Sequence, residues 1–287
     1  MRTILLCSDG SAFAQSIYQY GAWFARQFQA RAQVLYVTDI RQKAVSTGNL
    51  SGSIGLGAAD HLLDELVTLE HEKAKLDKKR AQLILQNADQ VLRAAGIDEV
   101  DLLNPTGFLV DCFHDFEAEA DMVVLGKRGE TAEFASAHLG ANIERIARSS
   151  RKPCLVTPLT FAPIERILLA YDSSPTGKQI LDFLANNAPP FQPMEVHIVT
   201  VAKSESDEEK QRSLSQAQEK LQQSGLATTI RLLTGDPEKA IAQYIDQNHI
   251  SLLLMGAYGH SRIRELIVGS TTIQLLRSSK IPVLLFR

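Results

Sequence analysis

Six residues near the end of the chain have the types and spacing that phosphate binding requires. They are three spaced glycines followed by three hydroxyl residues, namely Gly256, Gly259, Gly269, Ser270, Thr271 and Thr272. Glycine lets the backbone approach an anion because no Cβ stands in the way, and the free N–H groups at a helix start attract negative charge. The apolar run 252–255 before the first glycine predicts a buried strand, and the run 272–278 predicts a helix. The sequence therefore predicts a phosphate cradle, with a nucleotide as its ligand.

Composition and charge argue against several other classes of ligand. The chain has 287 residues, of which 45% are hydrophobic and 22% charged, and its net charge of −3 gives no sign of nucleic acid binding. No apolar run reaches the ~18 residues of a membrane span, and residues 1–6 are too short an apolar stretch for a signal peptide. The seven histidines and three cysteines lack metal-ligand spacing. We therefore expect a cytoplasmic protein with no metal site and no membrane or nucleic acid partner.

The chain also repeats itself, with five short apolar runs in each half. The segment around Asp9 returns around Asp172, and the segment around Gly126 returns around Gly256. The distance between matching residues falls from 164 to 128 after the second run, so the first half carries 36 extra residues there. We place this extra segment at about residues 41–90.

Strands that alternate with helices predict an α/β fold. We expect two tandem doubly wound domains, each with an open five-stranded parallel sheet flanked by helices. Ligands of such sheets bind beyond the carboxyl ends of the strands, and the four residues matched by the repeat are all predicted to lie there. Prolines at 158 and 163 bound a short, stiff linker, which predicts domains of residues 1–158 and 164–287.

Two different patterns fill the extra segment and the residues that follow it. Residues 46–57 are rich in glycine and serine, which predicts a mobile loop. Residues 60–95 are charged, with a stripe of leucines on one side, which predicts a long helix. We expect that stripe to pack on the core or on a partner helix.

Taken together, the repeat and the glycine spacing resemble a tandem universal stress protein, with two such domains on one polypeptide. The most specific element is the family's signature, Gly-x2-Gly-x9-Gly-Ser/Thr, which the second half meets in full. The resemblance covers nearly the whole chain. It implies an adenine nucleotide, ATP or else AMP or ADP, as the ligand, with or without Mg²⁺.

The resemblance also assigns a role to each part of the second-half site. The triphosphate would contact Gly256, Gly259, Gly269, Ser270 and Thr271. Asp172 would face the adenosine, since a carboxylate accepts hydrogen bonds from ribose hydroxyls or from the adenine amino group. Ala170 and Met255 would flank the base, and Val201 would contact the adenine edge through its backbone. Two weaker candidates lie within or beside the phosphate segment, namely His260 and Thr272.

The first half keeps only part of this pattern. Its candidate residues are Asp9, Gly126, Gly129 and Gly140. Ten residues rather than nine precede Gly140, and residues 141–142 are Ala and Asn where the second half has hydroxyls. Each lost hydrogen bond to a charged phosphate weakens binding by roughly 1.5–3 kcal/mol, and Glu130 and Glu133 bring negative charge close to the phosphates. We expect an intact scaffold with a weakened site, although the Lys-Arg pair at 127–128 offers charge to some other anion.

Three functions stay open at this point. The first is an ATP-binding regulatory protein of the stress response that acts on an unknown protein partner, the second a slow ATP hydrolase or phosphotransferase, and the third a nucleotide-free interaction scaffold. Glu265 is the only acid in the signature segment and no lysine follows Gly269, so efficient turnover is not predicted and no catalytic residue is assigned. The resemblance further implies that the last strands of the two halves pair, so that one chain imitates a dimer. A homodimer through the long helix is a further possibility.

Overall fold

The computed structural model describes residues 1–39, 56–129, 144–146, 149–257 and 270–287 of the chain. In the first half, short apolar runs form strands and amphipathic segments form the helices between them. Its elements are β1 (Thr3–Cys7), α1 (Ala14–Phe28), β2 (Arg31–Leu35), β3 (Thr38–Asp39), α2 (Leu56–Ala94), β4 (Val100–Leu103), β5 (Thr106–Gly107), α3 (Leu109–Glu117), β6 (Met122–Gly126) and β7 (Cys154–Thr157).

The second half repeats this order with shorter connections. Its elements are β8 (Arg166–Ala170), α4 (Pro175–Asn186), α5 (Ala188–Phe191), β9 (Glu195–Ala202), α6 (Glu208–Gln223), β10 (Ala227–Thr234), α7 (Pro237–Gln247), β11 (Leu252–Gly256), α8 (Ser270–Ser278) and β12 (Val283–Phe286). Helices α4, α6 and α7 each begin behind a polar capping residue. The side chains of Ser174, Asp207 and Asp236 accept a hydrogen bond from the N–H three residues later, at 3.1 Å in each case. Helix α8 begins two residues before the run from which it was predicted.

Ten strands form one sheet in the order β10-β9-β8-β11-β12-β7-β6-β1-β2-β4. Each half contributes five strands that run parallel to one another. The two closing strands, β7 and β12, pair antiparallel, with Leu155 opposite Leu284. The predicted α/β fold with two five-stranded parallel sheets is therefore confirmed. The short strands β3 and β5 pair in a separate small sheet.

Side chains of successive strand residues enter two cores, one on each face of the sheet. Ile4 and Leu6 lie in the core that contains α1 and α4, while Leu5 lies in the core that contains α3 and α7. All three are completely buried. Burial of one such side chain is worth roughly 1.5–3 kcal/mol, so helices on both faces stabilise the sheet and hold its strand ends in register.

The C-terminal part of α2 and the whole of α6 occupy equivalent places in the two halves. Gly96 and Gly225 follow the two helices in left-handed conformations, with φ of +83° and +81°. Counting back from these glycines, the same positions are buried in both helices, namely Leu85 and Leu214, Ala88 and Ala217, and Leu92 and Leu221. Residues 79–94 therefore match α6. The extra residues of the first half lie before residue 79, not at about 41–90.

The N-terminal part of α2 is the portion that the second half lacks. The helix predicted over 60–95 is confirmed, but its leucine stripe packs on the core only near the C-terminal end. Leu92 is completely buried, whereas Leu69 and Leu76 are 61% and 67% exposed. The loop predicted over 46–57 lies mostly outside the described residues, and its last two residues belong to α2. Among the described helices, none combines the length with the apolar composition that a membrane span requires.

Candidate functional site

The turn after the first strand of the second half carries Asp172. Its Oδ1 accepts a hydrogen bond from the Ser174 N–H at 3.0 Å, and Ser173 adopts a left-handed φ of +61°. The Ser173 hydroxyl lies 2.5 Å from the Ser213 hydroxyl of α6, which ties the turn to that helix. Asp172 itself is exposed. Asp172 thus shapes the turn, as short acidic side chains often do, and presents a carboxylate at the carboxyl edge of the sheet.

The residues predicted to contact the base, two at its sides and Val201 at its edge, lie at the ends of three neighbouring strands. Ala170 closes β8, Val201 lies at the end of β9, and Met255 lies at the end of β11. Met255 is buried, and Ala170 and Val201 are partly buried against the same apolar core. The strand ends are held together by a hydrogen bond from Thr200 Oγ1 to the Tyr171 carbonyl at 2.7 Å. Together these residues form an apolar floor at the carboxyl edge of the sheet.

The backbone carbonyl of Val201 has a partner that the sequence did not suggest. Lys210 Nζ, from the first turn of α6, donates a hydrogen bond to the Val201 oxygen at 2.5 Å. Val201 was predicted to read the adenine edge through its backbone, so a bound base would have to share this acceptor with an ammonium group. An alignment of the C-terminal ends of α2 and α6 would have shown that Lys210 corresponds to Ala81, and therefore that the second half carries a lysine at this position of the helix. The reach of its side chain still depends on how α6 packs.

At the phosphate end, the structure brings the two outer parts of the signature together. Thr272 is buried at 3% exposure, and its Oγ1 donates to the Gly256 carbonyl at 3.1 Å. The first turn of α8 therefore lies against the end of β11, with Thr271 partly buried beside it. Ser270 is the first residue of α8. Gly259, His260 and Gly269 lie outside the described residues. Because the Thr272 hydroxyl donates its hydrogen bond to this strand carbonyl, it is not available as a donor to a phosphate.

The first half contains the same turn after its first strand. Asp9 Oδ1 accepts from the Ser11 N–H at 3.0 Å, and Gly10 has a left-handed φ of +74°. Gly129 lies beside Asp9, since a Cβ at Gly129 would be 2.6 Å from Asp9 Oδ2. Gly126 has a packing reason to be glycine, because a Cβ there would be 2.7 Å from the Phe13 Cβ. Asp9, Gly126 and Gly129 thus meet at one sheet edge, while Gly140 lies outside the described residues.

Helix α2 closes the space beside this first-half turn. A Cβ at Gly10 would lie 2.4 Å from the Ile84 Cδ1 atom. Only glycine therefore fits at that position while Ile84 stays in place. Counting back from Gly96 and Gly225, Ile84 corresponds to Ser213. An apolar side chain thus meets the turn in the first half, where a hydroxyl meets it in the second.

Comparison with known proteins identifies the family. A model described as "Universal stress protein family" matches residues 1–158 and again residues 163–287. The chain belongs to the universal stress protein family. The family suggested by the glycine spacing and the internal repeat is therefore confirmed, as is the tandem arrangement.

Relatives of this universal stress protein share its length and fold. A curated universal stress protein of Synechocystis sp. is 52% identical over 288 residues, covering 100% of both chains. The crystal structure of a universal stress protein from Archaeoglobus fulgidus covers 99% of this chain and 96% of that one, with a TM-score of 0.72 at 22% identity. A putative universal stress protein from Pseudomonas aeruginosa covers 100% of this chain and 93% of that one, with a TM-score of 0.65 at 13% identity. At such identities the two structures support the fold alone.

A basic residue beside the first-half site of this universal stress protein serves the contact between its two halves. Lys127 Nζ donates to the carbonyl oxygens of Arg277 at 2.5 Å and Ser279 at 2.8 Å, at the end of α8. Burial, and secondarily the charge of Arg128, lower the pKa of Lys127 to about 8. The Lys127 ammonium, suggested above for anion binding, is therefore directed at the last carbonyls of a helix in the other half. Cations are favoured at that end of a helix.

The cysteines of this universal stress protein are structural. Cys112 and Cys154 are buried, Cys7 is partly buried, and all three are free. Burial raises the pKa of the Cys154 thiol to about 12 and also raises that of Cys7. These two thiols therefore stay protonated near neutral pH and act as small apolar groups. Among the described residues, no three His, Cys, Asp or Glu side chains cluster as metal ligands would.

Proposed function

We propose that this universal stress protein binds an adenine nucleotide in its second half and acts in the stress response as a regulatory protein. The observation that carries the proposal is the hydrogen bond from Thr272 Oγ1 to the Gly256 carbonyl at 3.1 Å. It draws the N-terminus of α8 to the end of β11, so the backbone N–H groups in the first turn of α8, which have no acceptor within the helix, lie at this sheet edge. Anions are favoured where a helix N-terminus and a glycine turn meet.

The apolar floor and Asp172 supply the other half of the proposed site. The partly buried Ala170 offers apolar surface to an adenine ring beside the buried Met255, and the exposed Asp172 carboxylate offers an acceptor to ribose hydroxyls. The phosphates would lie toward Gly256, Gly259, Gly269, Ser270 and Thr271, away from this carboxylate. Where Mg²⁺ accompanies ATP, phosphate oxygens and water would supply its ligands. Binding would then bias a surface read by a protein partner.

Calorimetry with ATP, ADP and AMP on the full chain tests this proposal. We expect one nucleotide bound per chain. Gly259→Asp should abolish binding, because it places a side chain and a negative charge in the phosphate path. Gln274→Glu is the matched control: it adds a carboxylate to an exposed position of α8, and its affinity should stay within about twofold of wild type. Unchanged affinity in Gly259→Asp would reject the site.

A further inference from the structure

The N-terminal part of α2 carries a row of exposed leucines. Leu69, Leu76 and Leu83 recur every seven residues and are 61%, 67% and 59% exposed. The sequence continues the row one repeat earlier, at Leu62. A seven-residue spacing of leucines is typical of helices that pair with another helix. Large apolar side chains aligned on one exposed face mark an interaction surface.

The fold of a single domain does not account for this part of the helix. Residues 79–94 match α6 of the second half, and their inward side chains, such as Ala81 and Leu85, are buried. Residues 65–78 precede that match, and every one of them is at least partly exposed. The leucine row therefore lies mostly on a segment that the second half does without.

Charge along the same segment is sharply divided. Residues 60–72 contain five acids and no lysine or arginine, whereas residues 73–80 contain five bases and one acid. The helix dipole favours such an order only within the first and last turns. The basic block lies in the middle of α2, which continues to Ala94. Some other interaction must therefore explain the division.

We propose that the leucine row is covered by α2 of a second copy of this chain, packed antiparallel. In this arrangement the acidic block of each helix faces the basic block of the other, whereas a parallel pair would oppose like charges. A two-fold axis between residues 72 and 73 also places Leu69 of one copy near Leu76 of the other, and Leu62 near Leu83. Such an interface is self-complementary, as symmetric dimers require. The paired segment, residues 62–83, is about 33 Å long.

This dimer is independent of nucleotide binding and is tested on the full chain by sedimentation velocity. We expect a mass twice the 31.6 kDa of the monomer. Leu69→Gln/Leu76→Gln should raise the dimer dissociation constant by about 10⁴-fold, because the symmetric dimer loses four leucines and each buried leucine is worth about a factor of ten. Leu159→Gln is the control, since Leu159 is 54% exposed between the two halves. A monomeric wild type, or a dimer unchanged in the double variant, would overturn the proposal.

Cysteine cross-linking distinguishes the antiparallel pair from a parallel one. Glu72→Cys lies beside the proposed axis, so two copies should form a disulfide on mild oxidation. Lys79→Cys would lie about 20 Å from its counterpart across an antiparallel pair and should stay unlinked. The wild-type chain, oxidised in the same way, shows whether Cys7, Cys112 and Cys154 form cross-links of their own. Equal cross-linking of both variants would indicate parallel helices and contradict the charge argument.

Discussion

Helices α2 and α6 approach the strand-end turns of their two halves in the same register but with different side chains. In both halves an aspartate accepts a hydrogen bond from the N–H two residues later, at 3.0 Å for Asp9 and for Asp172. The residue between is left-handed in both, with φ of +74° at Gly10 and +61° at Ser173. The backbone of the turn has thus been kept in both copies.

The two halves differ in what surrounds this common turn. Ile84 fills the space beside Gly10 in the first half. At the equivalent place in the second half, Ser213 meets the hydroxyl of Ser173 at 2.5 Å. One turn earlier, the buried Ala81 corresponds to Lys210, which reaches the Val201 carbonyl.

Under the proposed function, this difference identifies positions at which a site could be weakened while the fold is kept. A left-handed non-glycine residue costs of order 1–3 kcal/mol, and the second half keeps one at Ser173 where glycine would be easier. The first half avoids this cost, because the left-handed residue there is Gly10, which packs against Ile84. Under the proposed function, the second half keeps the less stable, polar turn for its ligand, and the first half has the more stable, apolar turn.

The largest expected effect comes from removing each aspartate in turn. Asp172→Ala should weaken ATP binding by about 10–100-fold, since a hydrogen bond to a charged group is worth roughly 1.5–3 kcal/mol. Asp9→Ala should leave the affinity unchanged. Asp172→Asn keeps the acceptor that closes the turn and should fall between the two. Calorimetry on the three variants provides the comparison, and equal losses for Asp9→Ala and Asp172→Ala would mean that the halves do not differ as argued.

The next largest effect is expected when the second half receives the isoleucine that packs on the turn in the first half. In Ser213→Ile the larger side chain would meet the Cβ of Ser173, so the free energy of unfolding should fall by about 1–3 kcal/mol, as in other overpacked sites. Nucleotide binding should weaken with it, because the same turn carries Asp172. Urea unfolding and calorimetry measure the two effects.

A second substitution tests the reason for that loss. Ser213→Ile/Ser173→Gly recreates the pair found in the first half, where glycine leaves room for isoleucine and accepts a left-handed φ. The double variant should recover most of the lost stability. If it is no more stable than Ser213→Ile alone, contact between these two positions is not the cause, and the explanation given for Gly10 is wrong.

Features of the fold and of the candidate site could be predicted from the sequence where they depend on residues close together in the chain. The strands were predictable because apolar runs bounded by glycine and polar turns are local patterns. Asp9 and Asp172 could be placed at one edge because the carboxyl ends of parallel strands share it. The contact of Ile84 with Gly10 spans 74 residues, and that of Lys127 with α8 spans about 150 residues. Local patterns give the buried face of a helix but not the partner that each side chain meets.

The smallest expected effect concerns the base edge. Lys210→Ala gives the second half the residue that the first half has at position 81, and it frees the Val201 carbonyl to accept from the adenine amino group. A neutral hydrogen bond is worth about 1 kcal/mol, so ATP affinity should rise by about fivefold. Inosine triphosphate has a carbonyl in place of that amino group and would lose the Lys210 donor, so its affinity should fall. Arg26→Ala removes an exposed charge at the C-terminal end of α1 in the first half and controls for net charge. If Lys210→Ala shifts both nucleotides equally, Lys210 acts through its charge on the phosphates, and the base is not read at Val201.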